Sequence, residues 1–241
     1  MAGPERPPRV RAARAGDNGA VTPPPFADLA RRAYPRLDEL ALAIAAEFRT
    51  VDGTAALAAL DALGADLAAA LEHAATRRPD AEAIECAESL GRRAGFTGDA
   101  EHYDDPANSM LDVVLERRRG LPILLSVVYV EVARRAGVAL AGVGLPGHFV
   151  VGHFGVTPPV LLDPFAGGAP VAAEHPAGLV RPWHAHEIAL RMLNNLVGSY
   201  RRRGDIALAI RAASMRLDLP TGPAMRDAMR QELLAMQAQL N

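Results

Sequence analysis

The chain has 241 residues, half of them apolar, which is enough to bury a full core as one domain or as one domain with a helical appendage. Its formal net charge of -2 provides no global positive field, so neither nucleic acid nor an anionic membrane is an expected partner. All 26 basic residues are arginine, a composition that we attribute to a GC-rich genome.

The single cysteine, Cys86, excludes an intramolecular disulfide and a cysteine-based metal cluster, and it fits a reducing compartment. The first residues lack the continuous apolar core of a signal peptide, and no segment approaches the roughly 20 uninterrupted apolar residues of a membrane span. We therefore expect a cytoplasmic protein with no bound cofactor.

The proline-rich residues 1–25 have almost nothing apolar to bury and are predicted to form a disordered tail. Leucines then recur at helical spacing in two stripes over residues 26–73, which Asp52 and Gly53 separate. A third helix is predicted over residues 81–94, ending at Gly95, a residue type suited to the left-handed position after a helix.

The central block is predicted to contain two helices. Ser109 followed three residues later by Asp112 resembles a capping box and predicts a short helix through Arg119. Pro122 suits the first turn of the next helix, which continues to Arg135 and is apolar enough to be buried.

Short runs rich in β-branched residues follow, over residues 138–145, 148–154 and 156–162, with Pro146 and Gly147 predicting a tight turn between the first two. The sequence therefore predicts an α+β fold in which a buried helix packs on a small antiparallel sheet, as in papain-like cores.

Three further helices are predicted, over residues 187–202, 206–217 and 224–240. Residues 193–220 resemble one tetratricopeptide hairpin, which is too little for an independent solenoid. We predict a core domain over residues 26–183 that includes the N-terminal helices. C-terminal helices over residues 184–241 are expected to pack on the core or to form a small docking surface.

The order of these elements is that of a thiol acyl-transfer site. Such a site needs a nucleophile at a helix N-terminus, a histidine base and a group that orients the histidine. The helix at Pro122 would supply the platform, and His148 and Asp163, on neighbouring strands, the base and its orienting group, since directly opposed residues lie about 4.5–5.5 Å apart.

The nucleophile is missing from this pattern. Leu121, Pro122 and Ile123 occupy the helix start, and none has a nucleophilic side chain. Ser126 lies one turn further in, where its hydroxyl is expected to bond a backbone carbonyl rather than attack a substrate. Cys86 would have to reach the site from another helix, and a free cysteine is usually a small buried apolar residue.

Two other groups of polar residues have alternative interpretations. One group, Glu116 with Arg117, Arg118 and Arg119, could line a pocket for an anionic or peptide ligand, or form a solvated helix face with ion pairs. His184 and His186 have a spacing found in metal sites, but without a partner cluster we interpret them as a surface pair and predict no metal site. His153 lies an odd number of residues after His148 and is expected on the opposite face of the sheet.

Several long segments resemble the SirB-type transglutaminase-like family, in which a transglutaminase-like core precedes tetratricopeptide-like helices. They are residues 108–111 (NSML), 114–123 (VLERRRGLPI), 125–137 (LSVVYVEVARRAG), 142–149 (GVGLPGHF), 163–165 (DPF), 167–168 (GG) and 193–196 (LNNL), with Arg202, Gly204 and Asp205. The resemblance implies that His148 and Asp163 match the catalytic histidine and aspartate of transglutaminases, and that the cysteine position falls near Pro122 or Ile123.

Our leading hypothesis is a non-catalytic or cryptic transglutaminase-like protein that binds a peptide or protein partner in a groove around His148 and Asp163. The binding residues expected there are Asn108, Glu116, Arg117, Arg118, Pro122 and Gly147. The alternative is an amidohydrolase, peptidase or acyltransferase with an unconventional nucleophile, Ser126 or Cys86. A third possibility is a scaffold in which His148 only satisfies core hydrogen bonds.

Overall fold

A computed structural model of the protein describes residues 22–73, 77–171 and 178–239. Most of the predicted tail, residues 1–25, lies outside these ranges. The α-helices are α1 (Phe26–Ala30), α2 (Leu37–Ala46), α3 (Gly53–Glu72), α4 (Pro79–Cys86), α5 (Leu111–Arg117), α6 (Pro122–Arg135), α7 (Ala185–Arg202), α8 (Ile206–Met215) and α9 (Pro223–Gln237). The strands are β1 (Thr97–Gly98), β2 (Arg119–Gly120), β3 (Leu140–Leu145), β4 (His148–His153), β5 (Val160–Asp163) and β6 (Ala169–Val171). A π-helical segment, Ala87–Arg93, continues α4, and short 3-10 turns cover Pro106–Ser109, Pro164–Ala166 and Arg216–Asp218.

Helix α3 begins at a side-chain cap, because the Asp52 carboxylate accepts the N–H of Ala55 at 3.0 Å. Within the part of the chain that the structure describes, α3 is the one helix long and apolar enough to cross a membrane, by length and composition only. The apolar run is interrupted by Asp61 and Asp66. Three leucines of its stripe are fully buried in the core, namely Leu60, Leu67 and Leu71, whereas Leu57 and Leu63 are partly buried.

Helix α6 is the buried helix that the sequence predicts. Pro122 occupies its first turn, where the missing N–H costs nothing, and nearly every side chain up to Ala133 is buried. Gly137, with φ +75°, follows its end in the left-handed region that favours glycine.

Strands β3 to β6 form one antiparallel sheet in chain order, and β1 pairs with β2 in parallel. This sheet and the buried α6 confirm the predicted α+β fold. At one edge of the sheet, the N–H of Trp183 donates to the carbonyl of Gly142 in β3 at 2.9 Å. The other edge, β6, contains Pro170, and a strand this short that holds a proline was not predicted from the pattern.

The predicted capping box at Ser109 is wrong. Ser109 ends a 3-10 turn, is buried, and its Oγ has no hydrogen-bond partner among the described residues. The residue that caps this turn is Asp105, which accepts the N–H of Ala107 at 3.1 Å. Helix α5 ends before Arg118 because that residue has φ +57°, outside the helical region.

An ion network centred on the buried Asp38 and the nearly buried Arg135 joins α2, α3 and α6. The Arg135 guanidinium donates to Asp38 at 2.7 Å, to Asp61 at 2.6 Å and to the Glu131 carboxylate at 2.8 Å. Arg36 donates to Asp38 from the other side, also at 2.7 Å. These contacts satisfy charges that would otherwise be costly to bury.

Helix α7 packs into the same apolar core as α6, through side chains that are at most 2% exposed: Ile188, Met192, Leu193 and Leu196. The buried Arg216 then joins α7 to α9, since it donates to Asn194 at 3.0 Å and to Glu232 at 2.7 Å. The C-terminal helices therefore pack on the core, and the domain boundary at residue 184 stays a prediction.

Candidate functional site

The structure brings His148 and Asp163 together. The Nε2 of His148 lies 2.9 Å from Oδ2 of Asp163, and the two side chains are 33% and 18% exposed. A carboxylate at this distance fixes the orientation of an imidazole that solvent can still reach. The pair is therefore accessible and ordered at the same time.

The sequence suggested that the two residues are directly opposed. The structure places them instead as diagonal neighbours on adjacent strands. Val151 pairs with Leu162 and Gly152 with Leu161, so the register places Asp163 opposite Val150 and two residues from His148. Diagonal neighbours share a sheet face and remain within reach of long side chains. That face also carries the small apolar cluster of Val143, Leu145, Val150 and Leu161.

The Asp163 carboxylate is itself held by the chain that follows it. Its Oδ1 accepts the N–H of Phe165 at 2.9 Å, and its carbonyl accepts the N–H of Gly168 at 2.8 Å. Gly91, in the π-helical segment, lies so close to this loop that a Cβ there would overlap the carbonyl of Gly167. The π-helical segment therefore supports the loop that positions Asp163.

The start of α6 offers no nucleophile. Leu121, Pro122 and Ile123 are all buried, and the N–H of Leu121 donates to the carbonyl of Asn108 at 3.1 Å. The Asn108 side chain is buried as well, and its amide donates to His102 O at 2.8 Å and to Asp99 at 3.2 Å. Pro122 therefore packs in the core, and Asn108 holds the preceding loop by hydrogen bonds, so neither residue lies on the surface.

Neither alternative nucleophile is bonded to His148. Ser126 is buried, and its Oγ has no hydrogen-bond partner among the described residues, so the expected bond to a backbone carbonyl is not seen either. Cys86 is fully buried, and burial raises the pKa of its thiol to about 12, with Glu82 and Glu85 adding to the shift. A thiol with this pKa is almost entirely protonated at neutral pH and is a poor nucleophile.

The other predicted binding residues do not form one groove. Gly147 is exposed in the β3–β4 turn with φ +70°, beside His148. Glu116 and Arg117 are exposed on α5, where Arg117 lies 3.5 Å from Asp105. Arg118 instead stacks on the ring of Phe96, 4.7 Å from its centroid, and lines a cavity on the other side of the π-helical segment.

A second histidine–carboxylate pair was not foreseen. The Nε2 of His153 lies 3.1 Å from Glu82, while its Nδ1 accepts the N–H of Gly155, so the proton is on Nε2 and donates to the carboxylate. Both side chains are nearly buried, and the pair joins α4 to β4. The sequence did predict that His153 lies on the sheet face opposite to His148. It could not identify the partner, because Glu82 is 71 residues away in sequence.

The two histidines with metal-like spacing make other contacts. His186 Nε2 lies 3.1 Å from the carbonyl of Ala30, and the backbone N–H of His184 donates to Glu187 at 2.9 Å at the start of α7. Over the described ranges, no three histidine, cysteine or acidic side chains are grouped to hold a metal ion.

A scan against protein-family models matches residues 54–195, from α3 to α7, to the transglutaminase-like superfamily. The chain belongs to that superfamily. Among curated proteins, this transglutaminase-like protein is similar to a UPF0162 protein of Xylella fastidiosa strain 9a5c, with 39% identity over 104 residues, 41% of this chain and 35% of the relative. A UPF0162 protein of Pseudomonas aeruginosa PAO1 is 38% identical over 110 residues, 44% of this chain and 38% of the relative. The chain thus matches little more than a third of the length of these relatives, and no solved structure matches it significantly.

Proposed function

We propose that this transglutaminase-like protein does not use cysteine acyl transfer and instead binds a peptide or protein partner at the surface around His148 and Asp163. The observation that carries the proposal is an ordered His–Asp pair combined with a helix start that lacks a thiol. Cysteine acyl transfer needs a thiolate beside the imidazole, and Cys86 is buried and protonated.

The imidazole of His148 lies on an open part of the surface, which suits an extended partner. Five concave regions formed by the described residues lie elsewhere, and none of the five is lined by His148 or Asp163. A half-exposed imidazole beside an exposed turn suits hydrogen bonding to a polar group on a segment that crosses the surface. We also propose that the protein belongs to the SirB-type family, that helices α7–α9 are tetratricopeptide-like and that the protein is cytoplasmic.

A phage-displayed library of random peptides, selected on the purified full-length protein, tests the binding. We expect enriched peptides to bind His148→Ala at least tenfold more weakly, since a hydrogen bond to a charged group contributes about 1.5–3 kcal/mol. His102→Ala is the matched control, because His102 also has an aspartate within 3.5 Å but is 72% exposed in a different loop.

Two outcomes would count against the proposal. Peptides that bind His148→Ala as tightly as wild type would show that the peptide-binding surface does not include His148. A selection that enriches no peptide would contradict the proposed binding function. A covalent acyl adduct on Ser126 or Cys86, found by intact mass after incubation with an activated acyl ester, would support the alternative of an amidohydrolase, peptidase or acyltransferase.

A further inference from the structure

A cavity of about 500 Å³ lies between α3, the π-helical segment and the end of α5. Its lining includes Leu63 and Asp66 from α3, Ser89, Leu90 and Arg93 from the π-helical segment, and Arg118. The volume is within the range of small-ligand sites, about 300–1,000 Å³. π-Helical segments are rare and frequently occur at functional sites.

Arg118 is the residue that makes this cavity unusual. Among the described residues it is the one non-glycine residue with positive φ, at +57°, a conformation that costs of order 1 kcal/mol or more. Its guanidinium is stacked on Phe96, yet Nη1 is buried and has no hydrogen-bond acceptor among the described residues. Because Nη1 is shielded from the cavity, a ligand would instead reach the remaining nitrogens of the partly exposed Arg118, which also have no hydrogen-bond acceptor among the described residues.

The other charges define what kind of ligand fits. Arg93 is already paired, since its guanidinium contacts both the Glu85 carboxylate and the Ser89 hydroxyl. Over the described ranges, no carboxylate lies within ion-pair distance of Arg118, whereas Asp66 is exposed at the cavity wall. One guanidinium without a carboxylate partner, together with one exposed carboxylate in the same lining, favours an anion with a single negative charge over a multiply charged one.

We propose that this cavity binds a small monocarboxylate with an apolar body. The planar carboxylate would accept hydrogen bonds from the Arg118 guanidinium, a geometry that arginine recognises in bidentate fashion. Leu63 and Leu90 would cover the apolar part of the ligand, and Asp66 would disfavour a second negative charge. The cavity is not lined by His148 or Asp163. Binding of the monocarboxylate is therefore measured separately and does not depend on the proposed function.

Arg118→Gly is the informative variant. Glycine adopts positive φ without strain, so the substitution removes the guanidinium while favouring the observed backbone conformation. Arg92→Ala is the matched control, because Arg92 belongs to the π-helical segment beside the cavity but is 79% exposed and pairs with Glu88. Thermal unfolding of each purified variant verifies that it is folded.

The probes are 4-methylpentanoate, its uncharged amide and inorganic phosphate, each titrated into 15N-labelled protein and followed by NMR shifts. We expect the acid to bind wild type and Arg92→Ala equally, at millimolar or better affinity, and to bind Arg118→Gly at least tenfold more weakly. The amide should bind wild type at least tenfold more weakly than the acid. Equal affinity of acid and amide, equal affinity of phosphate and acid, unchanged affinity of Arg118→Gly, or no binding of the acid to wild type at about 20 mM would each overturn the proposal.

Discussion

Asp38 is fully buried where α2 crosses α6, and a carboxylate is stable there only because arginines surround it. Burial raises the pKa of Asp38, but hydrogen bonds from Arg36 and Arg135 outweigh that effect and lower it to about 2. Nearby Glu131 shows the opposite result, because burial, reinforced by the Asp38 charge, raises its pKa. The same network thus keeps one carboxylate ionised and makes ionisation of the other less favourable.

We expect Asp38→Asn to lower the free energy of unfolding by about 3 kcal/mol, since it leaves the nearly buried Arg135 and the half-exposed Arg36 facing a neutral amide. Asp61→Asn is the matched control. It removes a carboxylate from the same Arg135, but Asp61 is 69% exposed, so the loss should stay below about 1 kcal/mol. Urea unfolding at pH 7 measures both, and equal losses would contradict the assigned importance of Asp38.

The lowered pKa of Asp38 determines the direction in which the free energy of unfolding changes with pH. Because the pKa of Asp38 is lowered from 3.8 to about 2 on folding, its contribution is complete above about pH 4 and is lost as the pH falls towards 2. Wild-type stability should therefore decline over this window, and the decline should be smaller in Asp38→Asn. Unfolding curves collected at pH 4, 3 and 2.5 compare the two proteins, and parallel declines would show that Asp38 is not responsible.

The two faces of the π-helical segment Ala87–Arg93 contact different parts of the protein. On one face Gly91 packs against the loop that holds Asp163, close to the fully buried Tyr129. On the other face Ser89 and Arg93 line the cavity near Arg118. Glu85, Ser89 and Arg93 recur every four residues, a spacing that places them on one helical face and that could have indicated their contact from sequence.

Gly91→Ala tests how tightly this segment packs. Alanine is the better helix former by up to about 1 kcal/mol, but its Cβ would overlap the Gly167 carbonyl, so we expect a net loss of about 1–3 kcal/mol. Gly198→Ala is the control, since that helical glycine faces only the mobile end of the Arg202 side chain. Thermal and urea unfolding should find Gly198→Ala at least as stable as wild type, and equal stability of the two variants would refute the close packing.

Local patterns predicted much of the fold and less of the site. The leucine stripe identified α3, and Pro122 and Gly137 identified the start and end of α6, because each signal depends on neighbouring residues only. The cap at Asp105 and strand β6 were missed, since a 3-10 turn and a three-residue strand leave almost no periodic signal. His148 and Asp163 were found from their positions on strands, but their diagonal offset follows from register, which the intervening loop sets.

At the scale of the molecule, the helices after residue 184 share their core with the transglutaminase-like part. Besides the buried face of α7, the ring of Tyr200 lies 5.4 Å from that of Phe48, and Arg211 lies 2.6 Å from Glu47 of the N-terminal helices. Contacts of this kind make separate unfolding of the two parts unfavourable.

We expect the full chain to unfold in one cooperative transition and a chain ending at Trp183 to lose that transition. Removing the buried apolar side chains of α7 alone costs about 1.5–3 kcal/mol for each, which together approaches the whole stability of a domain. Calorimetry of both chains checks this result. A truncated chain that keeps a sharp transition would instead support residues 26–183 as an independent domain.

The two edges of the β3–β6 sheet have a consequence for self-association. Unpaired edge strands recruit strands from other molecules and promote aggregation, and proline or an added backbone partner prevents this. Pro170 removes a donor from β6, and Trp183 occupies the Gly142 carbonyl on β3. The sheet is therefore a poor template for intermolecular strand exchange, and the partner that we propose would have to contact side chains such as His148 rather than a free strand edge.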